Sequence, residues 1–369
     1  MEFKSNNNFT IGVELEFQLL SSRTKELVNA APSLLDRVPK GLSEKIKQEF
    51  IQSMVEVTTG VCSSVREVEE DLCSTINFLE SLCRKEGVLL YAASLHPFSR
   101  ADDQKLSSNK RYEEILEELQ IVGRRLITQG LHVHIGLPDG ETAVHVFDQI
   151  RVFLPLLLAI STSSPFFQGQ DTGLYSYRSK LFNALPRSGM PEALGSWENY
   201  VKLINLMKRA CIINDPRDIW WDVRPHPHFG TIEVRICDLP SSLPEILAVT
   251  AMIQALVAEL VSGRLSCPVI HRAVITNNKW NAVRRSVDGK YVEPYNLRQI
   301  PIRDALLDLA ERLRPTAEGL GSAAYLARIK GMIDRGTSAH RQKRFYAQSL
   351  DFTNMIDEMR KGFWNFEEK

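Results

Sequence analysis

"FTIGVELEFQLL" (Phe9–Leu20) is the first apolar stretch of the chain, and its reading decides the architecture. Residues two apart in a strand share a face. Val13, Leu15 and Phe17 therefore fall on one side, and Glu14 and Glu16 on the other. Two carboxylates one pleat apart in an otherwise apolar strand require either open water or a cation beside them.

The same alternation recurs three times. "SMVEVTT" (Ser53–Thr59) sets Val55 and Val57 against Glu56 and Thr58. "GLHVHIGL" (Gly130–Leu137) sets Leu131, Val133 and Ile135 against His132 and His134. "TIEVRIC" (Thr231–Cys237) sets Ile232, Val234 and Ile236 against Thr231, Glu233 and Arg235. A half-solvated antiparallel sheet also has one polar face. Such faces draw on Lys, Thr, Ser and Gln, whereas this one gathers glutamates and contains no lysine. Carboxylates collected on one surface repel unless a cation neutralises them.

Glu14, Glu16, Glu56, Glu233 and the imidazole of His134 form a hard donor set suited to Mg²⁺ or Mn²⁺. There are more carboxylates than one ion takes, which implies more than one metal. His132 shares their face, either as a group supporting the ligands or simply as a polar neighbour. Mg²⁺ in such sites usually also binds substrate phosphate. Arg235, beside Glu233, is then the planar donor for a phosphoryl oxygen. Neither G-x-x-x-x-G-K-[ST] nor G-x-G-x-x-G occurs, which argues against P-loop and Rossmann enzymes.

The 369 residues are 44% hydrophobic and 24% charged, ordinary for a globular chain. With 45 basic and 45 acidic residues there is no global pull toward nucleic acid or an anionic membrane. "MEFKSNNNFT" lacks the apolar core of a secretory leader, and the six cysteines contain no C-x-x-C pair. A cytoplasmic chain with reduced thiols is expected; Cys62, Cys73 and Cys83 read as core. The apolar run Glu245–Val261 carries Gln254 and Glu259 and reads as a buried helix rather than a membrane span.

Helical spacing predicts helices over Ser64–Glu86, Arg111–Leu119, Glu141–Ile160, Trp197–Ala210, Leu243–Gly263, Ile302–Arg314, Ala323–Gly336 and Arg341–Lys361. Ser43–Gln52 is expected to be a short helix or loop, and "VLLYAASLHPF" a strand. Uneven connections between strands favour an α+β fold with a largely antiparallel sheet. No linker divides the chain. A single catalytic domain over 1–369 is expected, with a sheet-bearing core at 9–238 and a mainly helical part at 243–369.

"IGVELEFQLL", "SMVEVTTGVC", "GLHVHIGL", "STSSPFFQGQDTGLYSYR", "WWDVRPHPHFGTIEVRICDLP" and "NKWNAVR" follow one another in this chain. In that order they resemble the YbdK-like carboxylate–amine ligases, the second family of glutamate–cysteine ligases. The resemblance implies a curved sheet of glutamine-synthetase-like type backed by helices. It also implies ATP-dependent joining of a small carboxylate, glutamate, to an amine such as cysteine, through an acyl phosphate, with Mg²⁺ or Mn²⁺. It places the metal ligands at Glu14, Glu16, Glu56, His134 and Glu233, and the phosphate-facing arginine at Arg235. Glu56, Glu233 and Arg235 become the catalytic group, Arg178 the binder of the substrate carboxylate, and Asn278 and Arg284 neighbours of the nucleotide. A homodimer is also implied.

Several residues carry weaker signals. His226 and His228 rim the site or lie on a surface turn. Trp220 and Trp221 are expected to pack rather than stack on adenine, and Asp222 and Arg224 to form an ion pair that shapes the turn, with contact to substrate as the alternative. The polar loop between His96–Phe98 and Asn109–Tyr112 could serve as a lid. Two rival readings use the same carboxylates: a dinuclear-metal hydrolase working without ATP, and a metal-stabilised binding protein without turnover.

Overall fold

A computed structural model describes residues 1–6 and 9–365 of the chain. Its centre is a seven-stranded antiparallel sheet: β1 (Ile11–Ser21), β2 (Ile46–Gln48), β3 (Met54–Thr58), β4 (Val88–Tyr91), β5 (Leu131–Gly136), β6 (Val223–His226) and β7 (Thr231–Val234). The order is β6-β7-β5-β1-β3-β2, and β4 pairs with the far end of β1. The α+β antiparallel class is the one that the alternation predicts.

Register turns the alternating strands into rows. Glu14 faces Thr58 on one side and His132 on the other. One pleat along, Glu16 faces Glu56, which in turn faces Lys47. At the other end, Gly12, His134, Glu233 and Arg224 line up across β1, β5, β7 and β6. The polar residues of four strands thus meet on one surface.

The opposite surface is the core. Val13, Leu15, Phe17, Val55, Val57, Val133, Ile135, Ile232 and Val234 are all buried. Burying each such side chain contributes about 1.5–3 kcal/mol. Helices Val65–Lys85, Gly140–Ile150 and Leu243–Ser262 contact the sheet from this side. Ser64 caps the first, accepting from the Glu67 amide, and Glu67, Arg84 and Lys85 suit its dipole. Leu243–Ser262 is apolar on most of its circumference, and the structure buries nearly all of it, Glu245, Gln254 and Glu259 included. Among the described residues it is the one helix long and apolar enough to cross a membrane. One core runs from Ile11 to Phe363.

Some boundaries differ from expectation. Ser43–Gln52 contains the short strand β2, too brief to show alternation. Glu141–Ile160 is two helices, Gly140–Ile150 and Leu154–Ser161, bent by 66°. Pro155 lacks an amide and its ring crowds the carbonyl four residues back, which ends the ladder. The strand in "VLLYAASLHPF" stops at Tyr91. The last two expected helices each split, at Ala327 and around Leu350, where φ is +52°.

Candidate active site

A cavity of about 840 Å³ opens over the polar face of the sheet. That is the size of a small-molecule site. Its floor carries Glu14, Glu16, Glu56, His132, His134, Glu233 and Arg235.

Glu14, His134 and Glu233 form one group, with one donor atom from each lying within 4.8 Å of the others. His134 Nε2 stands 3.4 Å from Glu14 and 3.8 Å from Glu233. Its Nδ1 is fixed 3.0 Å from the Thr231 hydroxyl, which aims Nε2 at the carboxylates. Glu233 is fully buried and paired with both Arg224 and Arg235. Burial works against its charge, but the two guanidiniums and His134 hold the carboxyl well below the usual range. Glu14 behaves alike: burial pushes it up, and His132, hydrogen-bonded to it, together with His134 close by, brings it well below. His134 is raised; burial opposes this, and Glu233 and Glu14 outweigh it.

The second group is Glu16, Glu49 and Glu56, again within 4.8 Å. Here cations are scarcer. Burial, with Glu56 nearby, pushes Glu16 up to about 7 despite Arg178. Burial and Glu16 push Glu49 up to about 8. Burial, Glu14 and Glu49 raise Glu56 well above its ordinary value. The Gly130 amide donates to Glu16 at 2.6 Å and the Phe50 amide to Glu49 at 2.8 Å.

Both groups fit a hard divalent cation. All their carboxylates offer oxygen, and the buried Nε2 atoms of His132 and His134 have no hydrogen-bond partner. A cation beside the second group would remove the repulsion that now favours protonation.

Glu49 and Arg224 are site residues that alternation does not reveal. Glu49 lies just beyond a three-residue strand. Arg224 is opposite Glu233 in the hairpin β6–β7, and pairing "VRPH" with "TIEV" across the turn would have found it. Arg224 pairs with Glu233 and not with Asp222. Asp222 instead binds Lys279, with Nζ 2.7 and 2.9 Å from its two oxygens, both residues buried.

His226, His228 and Trp220 line the cavity, as do Arg111 and Tyr112 from the helix Lys110–Leu119. Trp220 also has the Arg187 guanidinium over its ring, whereas Trp221 packs on Phe147. Arg178 does not line the cavity. It is buried just behind the lining on the same sheet face as His132, where a Cβ on Gly130 would meet its guanidinium, and it donates to the carbonyls of Arg235 and Ile236, 3.9 Å from Asp238. Asn278 and Arg284 are outside as well. Asn278 ties its helix to Val292 through both amide and carbonyl, and the exposed Arg284 donates to the Gly173 carbonyl. Cys62 and Cys83 are buried and Cys73 half-buried.

The sequence profile described as "Glutamate-cysteine ligase family 2(GCS2)" matches residues 10–362. A Gloeobacter violaceus protein named "Putative glutamate--cysteine ligase 2" is 38% identical over 98% of this chain and 98% of its own length. A Herpetosiphon aurantiacus protein of the same name is 37% identical over 95% and 92%. Among solved structures, the Francisella tularensis glutamate–cysteine ligase in complex with AMP superposes with a TM-score of 0.69 at 14% identity, covering 100% of this chain and 91% of that one. A bifunctional glutathione synthetase from Pasteurella multocida gives 0.71 at 13%, covering 95% of this chain and 52% of that one. At these identities the two structures speak to the fold, which is shared.

Proposed function

Because the chain belongs to glutamate–cysteine ligase family 2, we propose that the carboxylate-floored cavity is where ATP activates the carboxyl group of a small acid for attack by an amine. The chain is an ATP-dependent carboxylate–amine ligase. A dinuclear-metal hydrolase finds no support, since the family and the relatives are ligases. The observation that carries the assignment to this cavity is the meeting of two three-donor groups on one sheet face, with Arg224 and Arg235 beside them.

A carboxylate is a poor electrophile. Transfer of the γ-phosphoryl from ATP gives an acyl phosphate and ADP; the amine then adds to the acyl carbon and phosphate leaves with the C–O bond electrons. Phosphoryl transfer needs positioning and charge compensation more than covalent help. Mg²⁺ or Mn²⁺, held by Glu14, His134 and Glu233 and by Glu16, Glu49 and Glu56, would offset the phosphate charge. Arg235 and Arg224, both fixed by Glu233, present planar donors to phosphoryl oxygens. Thr231 holds the tautomer and direction of His134. Glutamate is the proposed acid and cysteine the proposed amine.

The test is ADP release with Mg²⁺ and ATP over paired acids and amines, beginning with glutamate and cysteine. ADP formation that requires both partners supports the reading. Cleavage of esters or amides without ATP, and no ADP with any pair, would sink it.

A further inference from the structure

Residues 1–6 run along the edge of the cavity and close one of its walls. The Lys4 amide donates to the Pro227 carbonyl at 3.0 Å, and the Asn6 amide to the Leu137 carbonyl at 2.8 Å. Leu137 donates in turn to the Gly230 carbonyl at 2.9 Å. Two glycines make room for this path. A Cβ on Gly230, whose φ is +69°, would overlap the Lys4 carbonyl, and one on Gly136 would overlap the Asn6 side chain. Phe3 anchors the segment edge-on to Trp197, with ring centroids 5.6 Å apart. Trp197 leans on Tyr200, whose hydroxyl reaches the Pro225 carbonyl at 3.5 Å. Met1 and Glu2 then project into the cavity lining.

What this segment grips is the turn between β6 and β7. That turn carries two stacked rings, His226 and Phe229, 4.2 Å apart and inclined by 14°. Phe229 is 52% exposed, unusual for so large an apolar side chain on a cavity wall. The stack lies next to His134 and on the same hairpin as Arg224 and Glu233. A flat aromatic face beside guanidiniums suits a purine nucleotide.

We infer that residues 1–6 are a positioning strap, with Phe3 as its anchor, that holds the 226–230 turn in the shape that takes the nucleotide. The inference rests on the ligase reading of the cavity. Phe3 touches no reacting atom; it acts through the turn.

The experiment measures Mg–ATP affinity by calorimetry, kcat at saturating ATP, and Tm for the full chain, Phe3→Ala, Phe3→Tyr and a deletion of residues 2–5. Phe3→Ala and the deletion are expected to weaken ATP binding about fivefold or more, roughly 1 kcal/mol, with kcat at saturation nearly kept. Phe3→Tyr, which retains the ring against Trp197, restores affinity. A fall in Tm with unchanged ATP affinity in either folded variant overturns the strap and leaves the ligase reading standing. A full chain that neither binds Mg–ATP nor releases ADP overturns both.

Discussion

Glu16 and Glu56 face each other directly across β1 and β3, so that two carboxylates share one cross-strand pair. Like charges in that position destabilise a sheet. Glu49 joins them in the same group. Burial and mutual repulsion raise all three carboxyls.

Metal-free stability therefore depends on pH. The folded protein holds protons on Glu16 to about 7 and on Glu49 to about 8, whereas an unfolded chain releases them near the ordinary glutamate value. A raised folded pKa gives stability that is complete below the unfolded pKa and lost as pH rises through the folded one. Tm without metal is expected to fall by several degrees from pH 5 to pH 8. Mg²⁺ or Mn²⁺ should flatten that fall, with a stabilisation that grows with pH. A metal effect equal at pH 5 and pH 8 would count against the second donor group.

Glu56→Gln should abolish ADP formation while stabilising the metal-free protein at pH 8 by about 1 kcal/mol, because the like-charge pair is gone. Glu14→Gln should also abolish ADP formation but bring no such gain, since His132 and His134 already satisfy Glu14. Activity and thermal melting of the two variants separate a metal ligand from a merely tolerated surface charge.

Arg235→Lys keeps the charge beside Glu233 and loses the planar fork. The expected result is a folded protein whose kcat falls about a hundred- to a thousandfold. Steady-state ADP release is the readout. A change confined to KM would mean that Arg235 only binds.

Lys279→Met leaves Asp222 buried without its cation. Breaking such a pair from one side costs about 3–5 kcal/mol, which urea unfolding would register. Asn278→Ala should also destabilise the chain, by about 1–2 kcal/mol, because the carbonyl and amide of Val292 lose their partner. Exposed Arg284→Ala should leave ATP affinity unchanged; a large loss would return that residue to the nucleotide.

Period-two alternation made the floor of the site legible, because Glu14, Glu56, His134 and Glu233 sit in strands whose other face is core. The signal fails where the strand is too short or the partner is distant. Glu49 follows a three-residue strand, and Lys279 reaches Asp222 from a separate helix. Arg178 illustrates a different limit. A position in a motif does not say whether a side chain is free to meet a ligand, and here the guanidinium is buried and donates to the Arg235 and Ile236 carbonyls. The break at Pro155 was written in the sequence, but the apolar run on both sides of it masked the punctuation.

The first donor group takes Glu14, His134 and Glu233 from strands far apart in the chain, joined only by β1–β5 and β5–β7 pairing. Such long-range pairings form late and slowly. A cation therefore finds all three ligands only after the sheet has nearly finished assembling. A metal held by this group would act as a latch on the completed sheet rather than a seed for it: it should slow unfolding and leave the refolding rate almost untouched.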